Sequence, residues 1–590
     1  MNNNLFTRWG KTIDPEHVLM DYPRPGMQRD SFICLNGIWD YAMTQSTEFP
    51  EEYDGRILVP FSPEALLSGV NKVLMPDSYL HYRRSFSVKE MKSGERLLLH
   101  FGAVDQSCEV WLNGVRLGEH KGGYWHFTFD ITDTVCEGEN LLRVVVQDPS
   151  DTSYEARGKQ SLERGGMWYT PQSGIWQTVW MEYVPDSYIE TLSLNPDTDD
   201  QCVEVRVKMH GSGRIPMKLT ISLDDKEILQ ADGMTGDTCR LEIPSMRLWT
   251  PEDPVLYDIT VRVGEDEVTS YFAMRKISME KDVNGIFRLF LNDKPYFQNG
   301  VLDQGYYPDG LYTPPSDEAM VNDILKMKEL GFNMLRKHAK IESDRWYYHC
   351  DRLGMLVWQD MVNGGDRRRN AIKDDVRNML PEQVKLSRDE NLRVFAHDSE
   401  ESQEEFAREV TMTIEQLANF PSIVVWTVFN EGWGQFEAGG ITKRIRKMDP
   451  SRLVDEASGW YDQGGGDITS IHNYFLPLIV RPQPDRCVAL SEFGGYSWHI
   501  PDHAWASGEF GYRKYHTSST LTLAIEVLWK RDLFPNLKNG LSAAVYTEVS
   551  DVEDETNGLL TYDREILKVD GESISRINRE LLQAFENLYN

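Results

Sequence analysis

The chain has 590 residues, too many for one hydrophobic core, and at about 150 residues per domain it suggests three or four domains. Its 93 acidic and 62 basic residues give a net charge of -31, which argues against a nucleic-acid partner. The sequence has no apolar run of about 18 residues and no signal-peptide core, so we expect no membrane partner and a cytoplasmic location. The seven cysteines are scattered without a C-x-x-C pair, which disfavours disulfides and a structural zinc.

Short runs of alternating polar and apolar residues dominate the chain before residue 276. They predict strands of about 5 to 8 residues separated by turns such as Asn113-Gly114, the pattern of antiparallel sandwiches. The runs are RLLLHFG (96–102), CEVWLNGVRLGEH (108–120), NLLRVVVQD (140–148), WQTVWMEYV (176–184), VEVRVKMHG (203–211) and LYDITVRVG (256–264). A break near Pro185 divides them into one sandwich over 1–184 and a smaller, immunoglobulin-sized sandwich over 185–275.

Strands alternate with helical segments after residue 276. The segment 316–331 has apolar residues on one helical face and Ser316 as its N-cap, and 574–589 is a second helix. The eight strand candidates are 296–303, 332–336, 355–360, 423–431, 453–458, 468–474, 487–493 and 541–548. Eight βα units in this length predict a (β/α)8 TIM barrel over 276–590.

Two of these predicted strands carry a glutamate at or near their carboxyl ends, followed by glycine. Glu431 ends the fourth strand, and Glu492 lies at the end of the seventh. One such glutamate alone is better explained as a helix cap or a rim ion pair. Two at the rim of a small barrel are able to flank one bond, since catalytic side chains of such barrels lie at the carboxyl ends of strands. If their carboxyl groups lie about 5 Å apart, they fit retaining glycoside hydrolysis.

Seven short motifs are spread along the chain. The first three are LNGIWDY (35–41), WLNGVRLGEHKGGYWHFTFDIT (111–132) and GIWQTVWMEYV (174–184); the others are GFNMLRKH (331–338), YHCDRLGMLVWQD (348–360), VFNEGWG (428–434) and SEFGG (491–495). Together they resemble the motifs of glycoside hydrolase family 2, the family of β-galactosidases, β-glucuronidases and β-mannosidases. The resemblance implies an N-terminal jelly-roll sugar-binding domain, an immunoglobulin-like domain and a catalytic barrel.

The resemblance also implies roles for individual residues. It makes Glu431 the acid/base and Glu492 the nucleophile, with Asn430 placed to bind the sugar 2-hydroxyl. Arg336 matches an arginine that lies against the nucleophile and keeps it ionised, although an arginine here is also explained as part of a structural ion pair. Tyr474 matches a tyrosine that donates a hydrogen bond to the nucleophile.

Five further residues are candidates for substrate binding. His472 lies on the same strand face as Tyr474, so it either lines the pocket or belongs to the core. Asp360 ends the third strand and either binds sugar hydroxyls or braces Arg336. Asp303 occupies the place after the first strand where related enzymes carry an Arg-His or His-Glu cluster. Tyr546 and Glu548 stand where the family commonly presents a tryptophan platform.

The sugar is less well determined than the reaction. A galactoside-type β-glycosidase is the default that the resemblance implies, and the changed first and eighth strands leave a furanosidase (β-D-galactofuranosidase or α-L-arabinofuranosidase) open. A glucuronide is disfavoured, because Asn557-Gly558-Leu559 lacks the lysine of the glucuronidase Asn-x-Lys clamp. A third hypothesis is a carbohydrate-binding protein on an inactive hydrolase frame. We predict no metal and no cofactor, and a homo-oligomer is compatible with the family.

Two segments are predicted to border the pocket. The glycine- and aromatic-rich run 164–174 is a candidate loop reaching from the first domain to the barrel. The long segment 361–402 follows the third strand and is placed to wall the pocket. Its Arg367-Arg368-Arg369 cluster is either a solvated charge run or an anion-binding patch, and solvated charge is the simpler reading.

Overall fold

The computed structural model describes residues 5–211, 213–365, 389–390, 397 and 399–589. Most of the predicted rim segment 361–402, including Arg367, Arg368 and Arg369, therefore lies outside the described residues. In the described part of the chain, no helix combines the length and apolar character needed to cross a membrane.

The first domain is a sandwich of antiparallel sheets. One sheet has the strand order Ile33–Cys34, Val179–Pro185, Glu95–Phe101, Phe127–Asp130; the other has Gly55–Val59, Gly37–Thr44, Tyr79–Val88, Gly138–Gln147, Ser107–Leu112, Val115–Lys121. A short pair, Val104–Asp105 and Gly174–Ile175, lies beside them. The predicted hairpin is confirmed: Asn113 and Gly114 have φ of 52° and 85°, the positive values that a type I′ turn requires.

The second domain is a smaller sandwich, as its alternating pattern predicts. Its sheets are Ile189–Asp197, Cys202–Met209, Thr238–Glu242 and Lys226–Met234, Pro216–Leu223, Tyr257–Val263, Asp266–Phe272. A three-stranded sheet follows, made of Ile277–Lys281, Phe287–Leu291 and Lys294–Pro295. Its Leu289 belongs to the same core as the barrel residues Met334 and Trp358, so this sheet closes the end of the barrel opposite the predicted site.

The third domain is built on eight parallel strands. They are β1 (Gln298–Asp303), β2 (Met334–Lys337), β3 (Leu356–Asp360), β4 (Ile423–Asn430), β5 (Leu453–Ser458), β6 (Ile468–Asn473), β7 (Cys487–Gly494) and β8 (Leu541–Thr547). The hydrogen-bonded order is β5-β4-β3-β2-β1-β8-β7-β6. Side chains join the two outer strands: Ser470 Oγ of β6 donates to Asp455 Oδ2 of β5 at 2.9 Å. The predicted barrel is confirmed.

The described helices pack around these strands. They are α1 (Asp317–Glu329), α2 (Asp344–Leu353), α3 (Glu400–Leu417), α4 (Ala438–Met448), α5 (Ser518–Leu528), α6 (Phe534–Leu537) and α7 (Gly571–Glu586), with a π-helical turn at Trp529–Leu533 before α6. Short 3-10 turns lie at Gly10–Thr12, Leu66–Ser68, Ser150–Thr152 and Pro501–His503, and a small strand pair at Tyr496–Ser497 and Arg513–Lys514. Ser316 caps α1 as predicted, accepting a hydrogen bond from the amide of Ala319 at 3.3 Å.

Candidate active site

The two predicted glutamates meet at the carboxyl ends of their strands. Glu431 directly follows β4 and Glu492 lies near the end of β7, and each is only 5% exposed. One carboxylate oxygen of Glu431, one of Glu492 and a ring nitrogen of His472 all lie within 4.8 Å of one another. Retaining glycosidases hold their two carboxyl groups about 5 to 5.5 Å apart, whereas inverting enzymes need a wider gap for water.

The backbone at Glu431 is unusual. Its φ of 53° lies in the left-handed region, which non-glycine residues seldom adopt. The amide of Glu431 donates to the carbonyl of Ser458 on β5 at 2.9 Å, so the turn is held by the neighbouring strand. Such a backbone conformation is kept only where surrounding contacts stabilise it, and residues in it concentrate at functional sites.

Glu492 is surrounded by groups that favour its charged form. Arg336 Nη1 donates to its Oε1 at 3.1 Å, and the Tyr474 hydroxyl donates to Oε2 at 2.6 Å. Burial by itself would raise the pKa of this carboxyl, but the charges of His472 and Arg336 and the Tyr474 hydrogen bond together lower it. Burial and the neighbouring carboxylate keep the pKa of Tyr474 well above its usual range, so the phenol stays a donor.

Arg336 connects β2, β3 and β4 beneath the pair. It forms two parallel hydrogen bonds with Asp360, at 3.0 and 3.1 Å, the geometry of a strong guanidinium–carboxylate pair. Its Nη2 also donates to Asn430 Oδ1 at 2.8 Å, which fixes the orientation of that amide. Of the two roles open for Asp360, its contacts match the bracing of Arg336.

His472 lies between the two glutamates. Its Nδ1 is 2.8 Å from a Glu431 oxygen and 3.4 Å from a Glu492 oxygen, and its Nε2 is 2.9 Å from Ser458 Oγ. The close approach depends on Gly459, where an added Cβ would lie 2.6 Å from the imidazole ring. The ring therefore positions both carboxyl groups instead of only lining the pocket.

The three donor atoms of Glu431, His472 and Glu492 are close enough to hold a metal ion. At 2.8 Å, however, the contact between His472 and Glu431 has the length of a hydrogen bond, which already satisfies both atoms. The arrangement therefore needs no ion to account for its geometry.

Asp303 is directed away from the pair. It lies opposite Lys337 in the β1–β2 register, and its Oδ2 accepts from Lys337 Nζ at 2.7 Å. Lys337 Nζ lies 4.1 Å from the ring centroid of Trp346 on α2, on the helix side of the sheet. Side chains alternate across a strand, so Arg336 faces the barrel interior while the next residue, Lys337, faces the helices. Asp303, which is paired with Lys337, lies on the same helix side. The structure thus does not bring Asp303 to the pair Glu431 and Glu492.

Tyr546 is likewise part of the packing between strand and helix. Only 1% exposed, its ring lies 5.5 Å from Trp529 and 5.8 Å from Phe493. Adjacent Val545 belongs to the barrel interior, so alternation directs Tyr546 outward. It does not form the sugar platform that its sequence position suggests.

Glu548 is fully buried just beyond β8. Neither of its oxygens makes a well-formed hydrogen bond to the described residues, although Gln304 lies close. Burial and the charge of Glu555 hold its pKa well above the usual range, which favours the protonated form. A neutral carboxyl group has both a donor and an acceptor to offer a sugar hydroxyl.

Sequence reasoning missed two further groups near Glu492. Lys159, from the first domain, has its Nζ 3.9 Å from Glu555 Oε2, and it adds to the positive field around Glu492. His338 Nε2 is 3.8 Å from Glu492 Oε1, and burial followed by the charge of Lys159 lowers its pKa well below the usual range. The motif GFNMLRKH contained His338, whereas no local pattern singles out Lys159.

The run 164–174 reaches the barrel as predicted from the family's architecture. The ring of Trp168 lies 5.0 Å from that of Trp433, two residues beyond Glu431. The amide of Thr170 donates to Glu553 at 2.9 Å, in the loop after β8. The first domain therefore supplies part of the wall of the site.

Comparison with known proteins agrees with this architecture. Residues 70–185 match the sugar binding domain of glycosyl hydrolases family 2, residues 187–275 match a second family 2 domain, and residues 288–476 match the family's TIM barrel domain. These regions cover most of the chain.

Solved structures of the same fold include two β-glucuronidases and a β-galacturonidase. A β-glucuronidase from an uncultured Clostridium sp. superposes with a TM-score of 0.73 at 18% identity, covering 94% of this chain and 99% of the other. The β-D-glucuronidase of Dictyoglomus thermophilum gives 0.73 at 16% identity, covering 95% and 98%. A β-galacturonidase from Eisenbergiella tayi bound to galacturonate gives 0.69 at 18% identity, covering 95% and 99%. At these identities the likeness establishes the fold alone, while the three family matches show that the chain belongs to glycoside hydrolase family 2.

Proposed function

We propose that this glycoside hydrolase removes a terminal, β-linked sugar with retention of configuration. The observation that carries the proposal is the pair Glu431 and Glu492, whose oxygens lie within 4.8 Å of each other, with Glu492 held ionised by Arg336 and Tyr474. A double displacement needs one carboxylate to attack and one carboxylic acid to donate a proton.

The reaction then proceeds in two steps. The Glu492 carboxylate attacks the anomeric carbon while Glu431 gives its proton to the departing oxygen, which leaves as an alcohol. Glu431, now ionised, takes a proton from water, whose oxygen attacks the same carbon and releases Glu492. Asn430, oriented by Arg336, is placed to bind the 2-hydroxyl, a contact that strengthens in the transition state.

A galactoside-type pyranoside is the proposed sugar, and the buried carboxyl of Glu548, whose oxygens make no well-formed hydrogen bond to the described residues, supports a hydroxyl-rich one. A β-uronide is the second candidate, favoured by Lys159. The sequence argument against a uronide was the missing lysine in the loop after β8, yet Lys159 brings an ammonium group toward the site from another domain. A furanoside has no such supporting contact.

The experiment is hydrolysis of 4-nitrophenyl β-D-galactopyranoside, β-D-glucuronide, β-D-galacturonide, β-D-mannoside, β-D-galactofuranoside and α-L-arabinofuranoside. Glu492→Ala is the inactive variant, and Glu565→Ala, on an exposed carboxylate paired with Lys11, is the matched control. We expect one sugar to be cleaved, the anomer that retains the configuration of the substrate to form first by proton NMR, and only Glu492→Ala to lose activity. First release of the inverted anomer, or an active Glu492→Ala enzyme, would refute the mechanism.

A further inference from the structure

A cavity lies between the first domain and the barrel, apart from the catalytic pair. Its volume is about 160 Å³, and its walls come from both domains. The sandwich contributes His126 and Gln177, and the barrel contributes Asp344, the first residue of α2. A cavity of roughly 150 Å³ is known to hold a benzene molecule, so this one has room for a six-membered ring.

Three polar side chains in its lining lack protein partners among the described residues. Gln177 is only 9% exposed, and its Nε2 makes no hydrogen bond. Burial and the charge of Arg24 alone shift the pKa of the Asp344 carboxyl, and no hydrogen bond reaches this group. The pKa of His126 is likewise shifted only by burial and by neighbouring positive groups, Arg24 first among them. The Gln177 amide is buried without the partner that such a group normally has, and the accessible side chains of Asp344 and His126 have none either, so all three are free to bind a molecule in the cavity.

His126 and Asp344 are accessible groups of the cavity wall. His126 is exposed and Asp344 is half-buried, yet desolvation by the surrounding protein lowers the pKa of His126 to about 4. Desolvation also raises the pKa of Asp344 to about 7. The cavity therefore favours the neutral forms of His126 and Asp344, while Arg24 in its lining stays charged and is paired with Glu182 at 2.8 Å, an arrangement that suits a neutral ligand.

We propose that this cavity binds a neutral pyranose. Such a ring carries several hydroxyl groups, each able to donate and accept, which match the carboxyl of Asp344, the imidazole of His126 and the amide of Gln177. Its carbon faces match the apolar part of the lining, contributed by Phe101, Pro23, Pro314 and Met320. Water alone satisfies the polar groups but leaves these apolar surfaces wet.

The test reads the cavity directly and does not use hydrolysis, so its failure is distinct from failure of the proposed function. Neutral imidazole reacts with diethyl pyrocarbonate, and at pH 6 His126 is neutral. Acylation of His126 is measured by peptide mass spectrometry in the full-length Glu492→Gln enzyme, with methyl β-D-galactopyranoside, methyl β-D-glucopyranoside or methyl β-D-glucuronide added. Exposed His516 reports the reactivity of the reagent itself.

We expect a neutral methyl glycoside to slow labelling of His126 about tenfold at ten times its dissociation constant, with labelling of His516 unchanged. The charged glucuronide should protect less. Asp344→Ala and the isosteric Asp344→Asn should both weaken protection. Asp21→Asn is the matched control, because Asp21 also lines the cavity but is 49% exposed and pairs only with Arg345 at 3.6 Å.

Three results would overturn the proposal. The first is a His126 that the reagent never labels, because a cavity closed to a small ester is closed to a sugar. The second is labelling that no neutral glycoside slows, which leaves a water-filled cavity. The third is protection that survives both Asp344 variants, which assigns the sugar to another site.

Discussion

Replacing Tyr474 by phenylalanine isolates the contribution of one hydrogen bond to Glu492, the proposed nucleophile. The change removes the hydroxyl that donates to Glu492 Oε2 at 2.6 Å. It keeps the ring, which stacks on Tyr512 with centroids 3.7 Å apart. The cavity that remains is no larger than an oxygen atom, so we expect the fold to persist.

The magnitude follows from the charge of the acceptor. A hydrogen bond to a charged group contributes about 1.5 to 3 kcal/mol, and one pKa unit corresponds to about 1.4 kcal/mol. The bond favours the ionised form of Glu492, so losing it raises the pKa of that carboxyl by about one to two units. In the wild-type enzyme the pKa is lowered from its ordinary value of 4.5, which puts the acid limb of activity below that pH. The limb should therefore move to higher pH in the variant.

The assay is the pH dependence of kcat/KM, which reports the free enzyme, on the best 4-nitrophenyl glycoside. Thr547→Val is the control, because Thr547 Oγ1 is the other partner of the phenol, at 3.2 Å, and does not touch the nucleophile. Its acid limb should stay within about half a unit of the wild type. If the limb of Tyr474→Phe stays in place while activity falls, the tyrosine does not act through the charge of Glu492.

Two further substitutions test the other named groups. Glu431→Ala should lower kcat/KM by about 10²- to 10⁴-fold for glycosides with alkyl leaving groups. The loss should be much smaller for 2,4-dinitrophenyl glycosides, because their leaving group departs without a proton. Equal losses on both substrates would show that Glu431 is not the acid. Lys159→Met should lower kcat/KM on 4-nitrophenyl β-D-glucuronide by about 10- to 150-fold, the loss expected for one hydrogen bond to a charged group, and should change it little on the galactoside. Parallel losses on both substrates would show that Lys159 does not bind the sugar carboxylate.

The order of strands and helices in the barrel was readable from local patterns. Runs of buried residues with glycine at their ends define β4 and β7, and Ser316 marks the start of α1 within one residue. The positions of Glu431 and Glu492 near strand ends follow from the same patterns, because parallel strands in a closed barrel end at one rim. These features depend on a few neighbouring residues.

Roles that depend on which way a side chain faces were harder to predict. Asp303, Asp360 and Tyr546 all lie at or near strand ends, yet Asp303 joins Lys337 on the helix side and Tyr546 packs against Trp529. Only Asp360 faces inward, where it braces Arg336. A shift of one residue along a strand moves a side chain to the opposite face of the sheet. A sequence pattern locates a strand end only to within one or two residues, so it does not decide which face such a residue occupies.

The sequence by itself determined the three-domain order, the barrel and the two glutamates, because periodicity and turn residues are local properties of the chain. Only the tertiary structure decided that His472 bridges those glutamates, that the charge of Lys159 in the first domain acts on Glu492, and that Asp344 and His126 line one cavity. The relations of Lys159 to Glu492 and of Asp344 to His126 join residues hundreds of positions apart, and the contacts of His472 join the ends of different strands. Their energies arise from desolvation and charge at separations that exist only once the domains have packed together.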